Sequence, residues 1–199
     1  MAGEELAWEL LSECDPEEVC TRAAVAYSDE GGYEVPVFGF PILAHPRTHA
    51  LTPSGPETEF ILSKLAYFSR LSIVHYLLAA QPLAPTGRLI APNEVRAGQF
   101  YFTGSHVLPL APIASRFATD PEGFLAQGAR FGGQPRSFGD VAVGLSPFPR
   151  VPITLILWQE DEEFPARSSL LFDEICELQV PPDILWSIAM MCALLIIRG

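Results

Sequence analysis

The apolar positions change their spacing from block to block along the chain, and each spacing predicts an element. Residues 153–158 form a continuous run of β-favouring residues, the pattern of a central strand buried on both faces. Pro149 and Pro152 stand at its approach, where proline suits a strand's start better than its interior. The run stops at Glu160-Asp161-Glu162-Glu163, and residues 168–172 resume it after Phe164-Pro165, which predicts a hairpin with an acidic connection. Upstream, Val141, Val143 and Leu145 alternate with Ala142 and Gly144, so residues 137–145 are a further strand candidate. Residues 33–45 are also β-like. Pro36 and Pro41 interrupt them and predict an edge hairpin, because proline has no N–H to donate to a ladder.

Helical spacing predicts the rest. Residues 4–13 and 16–26 read as two short helices, the second announced by Asp15-Pro16 and by Glu17 and Glu18 in its first turn. A turn over 27–33 follows, supplied by Asp29-Glu30-Gly31-Gly32. Residues 57–80 read as one long helix, capped by Thr58, and its face is apolar nearly all round, so it is expected to be central and buried. Residues 108–117 and 120–131 predict two more helices, the latter stopped by Gly132-Gly133. Segments 45–56 and 82–98 read as loops. Residues 182–197 close the chain as a strongly apolar helix, shorter than the roughly 20 residues that a membrane span needs. An outer helix needs a polar face, so the expectation is a homodimer or a protein partner docked partly on this helix. The helix over 57–80 is the alternative cover. Strands before and after a helical middle predict an α+β fold: an antiparallel or mixed sheet with helices packed on it, in a single domain spanning residues 1–199.

Composition sharpens this picture. Of 199 residues, 49% are hydrophobic and only 18% charged, against about 25% charged in ordinary soluble domains. Mean hydropathy is +0.24, so either the core is generous or some apolar surface is covered by a partner or ligand. The formal net charge of -12, with no basic cluster, argues against nucleic acid and against anionic membrane surfaces as partners. Cys14, Cys20, Cys176 and Cys192 form no C-x-x-C pair. The first eleven residues carry Glu4, Glu5 and Glu9 where a secretory leader would be positive. The expectation is a cytoplasmic protein with reduced thiols.

Candidate chemistry is sparse. His75, beside Tyr76 in the long helix, reads as a core histidine or as a ligand to a cofactor's metal. His45-x-x-x-His49 has a zinc-like spacing, but Pro46 and the missing Glu remove its force, so no metal site is assigned. The acidic run 160–163 reads as a solvated turn or a hard-cation site. Asp140 reads as a turn residue able to pair with Arg136 or Arg150. Phe100, Tyr101 and Phe102, with Phe117, Phe131 and Phe138, read as core or as the lining of a flat pocket. The residues taken as candidate ligand contacts are therefore His75, Tyr76, Phe100, Tyr101, Phe102 and Trp158. His75, Asp140 and the acidic turn are the candidates for catalysis. No phosphate loop, dinucleotide fingerprint or nucleophile elbow is present, and no cofactor is assigned.

Several short motifs occur together in order: Val74-His75-Tyr76-Leu77-Leu78, Pro85-Thr86-Gly87, Phe148-Pro149-Arg150-Val151-Pro152, Leu157-Trp158, Asp161-Glu162-Glu163-Phe164-Pro165 and Leu171-Phe172-Asp173. From about Pro16 to the C-terminus the chain resembles the prokaryotic family called domain of unknown function 3786. The stretch from Pro149 to Asp173 is the specific part. The resemblance implies no activity and no catalytic residues. It implies relatives mostly in anaerobes, some with an iron–sulfur segment like that of corrinoid proteins. This chain has no such four-cysteine segment, and its residues 100–102 depart from the family's glycine-rich pattern. Two readings follow. One is an accessory or binding domain of anaerobic metabolism, for a hydrophobic or tetrapyrrole-like ligand or a partner protein. The other is an enzyme using His75, Asp140 or the acidic turn.

Overall fold

The computed structural model describes residues 3–29, 31–96, 98 and 106–199. Two antiparallel sheets and the helices around them make an α+β fold. The chain opens with helices α1 (Glu4–Glu13) and α2 (Pro16–Ala23). Asp15 caps α2 by accepting from the Glu18 amide at 3.0 Å, as the Asp-Pro signal predicts. Helix α2 stops three residues before position 26, because Ala24 turns left-handed at φ 54. Residues 26–28 are then strand β1 (Ala26–Ser28) and not turn.

Strands β2 (Gly32–Val37), β3 (Phe40–His45) and β4 (Ala50–Pro53) complete a sheet of order β1-β2-β3-β4. The hairpin of β2 and β3 is therefore central and not at an edge, and the 45–56 segment contains a strand. The prolines are accommodated by position. Pro36 and Pro41 face each other one pair back from the Val37↔Phe40 closing pair. The β1 pairing ends at Glu34 and the β4 pairing at Ile42, so no outer strand asks either proline for an N–H. Phe38 and Gly39, both at positive φ (52 and 84), form the two-residue turn.

The expected long helix is two: α3 (Pro56–Lys64) and α4 (Ala66–Ala79). Thr58 does sit at the start, its hydroxyl accepting from the Ser54 and Gly55 amides. The break falls at Ala66, which is left-handed at φ 36. The buried Ser69 hydroxyl lies within hydrogen-bond reach of the Ile61 and Ala66 carbonyls beside the break. Helix α4 is buried from Leu71 to Leu77.

Short strand β5 (Leu89–Ile90) and a 3₁₀ turn (Pro92–Glu94) interrupt the predicted 82–98 loop. Helices α5 (Leu110–Phe117) and α6 (Pro121–Arg130) follow, the latter capped by Asp120. Strands β6 (Gln134–Arg136), β7 (Val141–Phe148), β8 (Val151–Trp158) and β9 (Arg167–Asp173) build the second sheet, ordered β5-β9-β8-β7-β6. Strand β8 lies at its centre and is buried from Ile153 to Leu157, as its continuous apolar run demands. One turn of helix, α7 (Cys176–Gln179), precedes the last helix, α8 (Pro182–Arg198).

Helix α8 packs against α4, α5, α6, α7 and strand β7 and is buried around most of its circumference. The Ser187 hydroxyl meets Ser72 at 3.1 Å in that buried contact. The second face of α8 is thus covered from within the chain, by the alternative cover and by its neighbours. Nothing in this arrangement calls for docking of a homodimer or partner on this helix. No helix among the described residues is long and apolar enough to cross a membrane.

Candidate functional site

Two loops meet at one end of the second sheet. Residues 137–140 lead into β7, and residues 159–166 connect β8 to β9; the pairing of Val141 with Leu157 brings them side by side. Gly139 lets them close. It has φ +55, and a Cβ there would sit 2.5 Å from Ile156 Cγ2 and 3.2 Å from Trp158 Cε2. Asp140 then ties the loops together. Its amide donates to the Leu157 carbonyl at 3.2 Å, and its Oδ2 accepts from the Gln159 amide at 2.8 Å.

Asp161 closes the second loop on itself. Its Oδ1 accepts from the Glu163 and Phe164 amides, both at 2.8 Å. These amide donors hold its carboxyl below the ordinary value of 3.8, the Glu163 amide first. Neither carboxylate pairs with Arg136 or Arg150. The acidic run is thus a turn closed through Asp161 Oδ1, and no group of three metal-ligating side chains is present among the described residues.

Between these loops lies a cavity of about 460 Å³, walled by Trp158 and Phe164, with Asp140, Asp161 and Gln159 on its rim. Arg167, the cross-strand partner of Trp158, lays its guanidinium over the indole, Cζ 4.4 Å from the ring centroid. Phe164 is 64% exposed, and the neighbouring Phe138 is 43% exposed. A large aromatic side chain left as open as Phe164 at a concavity is unusual for a region that only packs a core.

The other predicted contacts lie elsewhere. His75 and Tyr76 are buried in α4. The Tyr76 ring stacks on Phe148 at 4.6 Å, its hydroxyl donates to the Ala23 carbonyl at 2.7 Å, and burial pushes its pKa far up. Phe148 adjoins the start of β8 and Trp158 its end, so the two ends lie roughly 23 Å apart at the usual rise per strand residue. Phe100, Tyr101 and Phe102 lie outside the described residues. Phe117 and Phe131 are core rings, against Phe124 and against Phe40 and Phe60. His45 and His49 serve separate partners, Thr52 and Glu5. Burial pushes the Cys176 thiol up to about 12, with Glu177 adding to the effect.

The recurrent motifs divide into two groups. One is structural: Arg150 donates to the Thr21, Arg22 and Leu83 carbonyls and so caps the end of α2. In the same region the buried Asp173 accepts from the Thr86, Gly87 and Ile175 amides. The other group, Trp158 and Asp161 to Pro165, forms the cavity. Sequence reasoning missed Phe164 and Arg167 as contacts. The hairpin signal over 158–167 is what places Arg167 opposite Trp158.

A family model described as Domain of unknown function (DUF3786) matches residues 15–195. No curated protein matches. No solved structure matches either.

Proposed function

From a chain that belongs to the DUF3786 family, we propose a binding domain whose ligand sits in the cavity between Trp158 and Phe164. The observation that carries this reading is the pair of aromatic walls, exposed Phe164 and half-buried Trp158, set at the end of β8 among polar groups. Such sites bind through apolar area and orient through a few placed polar atoms. Here the polar atoms are preorganised, because Asp140 and Asp161 are already fixed by main-chain amides.

Among the described residues the lining holds no histidine, cysteine or methionine to ligate a central metal, so the site favours a ligand smaller and simpler than a tetrapyrrole. The enzymatic alternative has less support. His75 is sealed in α4, away from the cavity, and Asp140 and Asp161 already serve turns. A role in the cytoplasm, as an accessory to a partner's chemistry, fits a binding domain of this kind.

Thermal melting against a panel of metabolites and peptides tests the reading. At least one compound is expected to raise Tm in proportion to the logarithm of its concentration, and the rise disappears in Phe164→Ala and Trp158→Phe. Stabilising compounds that act undiminished on both variants would move the site elsewhere.

A further inference from the structure

Resting on that reading, we propose that the cavity takes a cationic group, an ammonium or a guanidinium, and that Arg167 is its intramolecular occupant. The indole of Trp158 already carries a planar cation at 4.4 Å, within the range where the ring's quadrupole attracts charge. The Arg167 side chain is otherwise weakly held: the residue is exposed, and its guanidinium makes no hydrogen bond or ion pair among the described residues. A guanidinium fixed by one ring face at the surface can be displaced.

The rim supplies the countercharge. Asp140 and Asp161 each spend one carboxylate oxygen on main-chain amides. Neither second oxygen has a protein donor among the described residues. Glu160, Glu162 and Glu163 stand exposed on the same connection. An anionic ligand would meet this field with Arg167 as the single cation of the lining among the described residues. A neutral sugar could take the indole face but would leave the carboxylates without a countercharge. A cation satisfies both features, with its charge at the free oxygens and its stem against Phe164. The group belongs either to a free small molecule or to a lysine or arginine side chain of a partner.

The indole N–H resonance of Trp158 in the full ¹⁵N-labelled chain, assigned by its loss in Trp158→Phe, reads the outcome. The probes are N-acetyl-arginine amide, N-acetyl-lysine amide, N-acetyl-glutamate amide, maltotriose and an arginine-containing hexapeptide. Cationic probes are expected to shift the signal saturably, and added salt to weaken them. Asp140→Asn with Asp161→Asn weakens the binding roughly tenfold, and Arg167→Ala tightens it roughly threefold, on the scale of surface cation–π and charge contacts. Saturation by the two amides identifies a free cation; response to the hexapeptide alone identifies a partner's side chain. Weaker cation binding in Arg167→Ala would overturn the displacement. Preference for the glutamate or sugar probe would overturn the cation and leave the binding site standing. No response to any class of probe would remove the site as well.

Discussion

At the scale of single residues, Asp173 does more than its place at a strand end suggests. It is 1% exposed, and its carboxylate accepts from the Gly87 amide at 2.7 Å and from the Thr86 and Ile175 amides at 3.2 Å each. It thereby fixes the approach to β5 and the step from β9 to α7. A buried carboxylate survives only when its lone pairs are filled, and here amides fill them. Asp173→Ala strands these donors and is expected to cost about 3 kcal/mol. Asp173→Asn is expected to cost less, because its amide oxygen still accepts while its NH₂ opposes a main-chain N–H. Urea unfolding of both variants checks the order. Equal, near-zero losses would mean that the loop relaxes and hydrates its amides.

At the scale of elements, legibility follows burial. Strand β8 and helix α8 were readable because an element buried on all sides has to be apolar on all sides, and composition alone records that. The break between α3 and α4 was not readable. Leu65 and Ala66 are good helix formers, and the interruption is accompanied by a side-chain bond from Ser69 across the junction to the Ile61 carbonyl. The central place of the Pro36–Pro41 hairpin was misjudged because the outer strands end before reaching the prolines. The same limit applies to the candidate site. Asp140, Trp158 and the acidic turn were each visible, but only the β7–β8–β9 register brings them together. Helix α8 offers the sharpest test of the element picture. Ile188 is fully buried, whereas Met190 is only partly so. Ile188→Ala is expected to cost about 2–5 kcal/mol, as for other buried truncations. Met190→Gln is expected to leave both the melting curve and the sedimentation coefficient unchanged. A change of mass in the second variant would show that a neighbouring molecule covers this helix after all.

At the scale of the whole molecule, the question is whether two sheets mean two folding units. The contacts between them argue for one. The Phe38 amide in the first sheet's hairpin turn donates to the Pro147 carbonyl of β7 at 3.3 Å. Gly132 lies so close to the same turn that a Cβ there would sit 3.0 Å from the Phe38 carbonyl oxygen. The buried Phe131 ring touches Phe40 of the first sheet and Phe60 of α3. One continuous apolar cluster includes residues from α1, both sheets and α8. Neither sheet can lose its partner without exposing part of that cluster, so unfolding is expected to be a single cooperative transition. Phe131→Ala is the discriminating variant, since it removes the ring between the layers and leaves each sheet's own ladder intact. It is expected to lower stability by about 3–5 kcal/mol while the transition stays single, with coincident near-ultraviolet and far-ultraviolet curves and equal calorimetric and van't Hoff enthalpies. Two resolved transitions, in the wild type or in this variant, would show that the sheets fold as separate units.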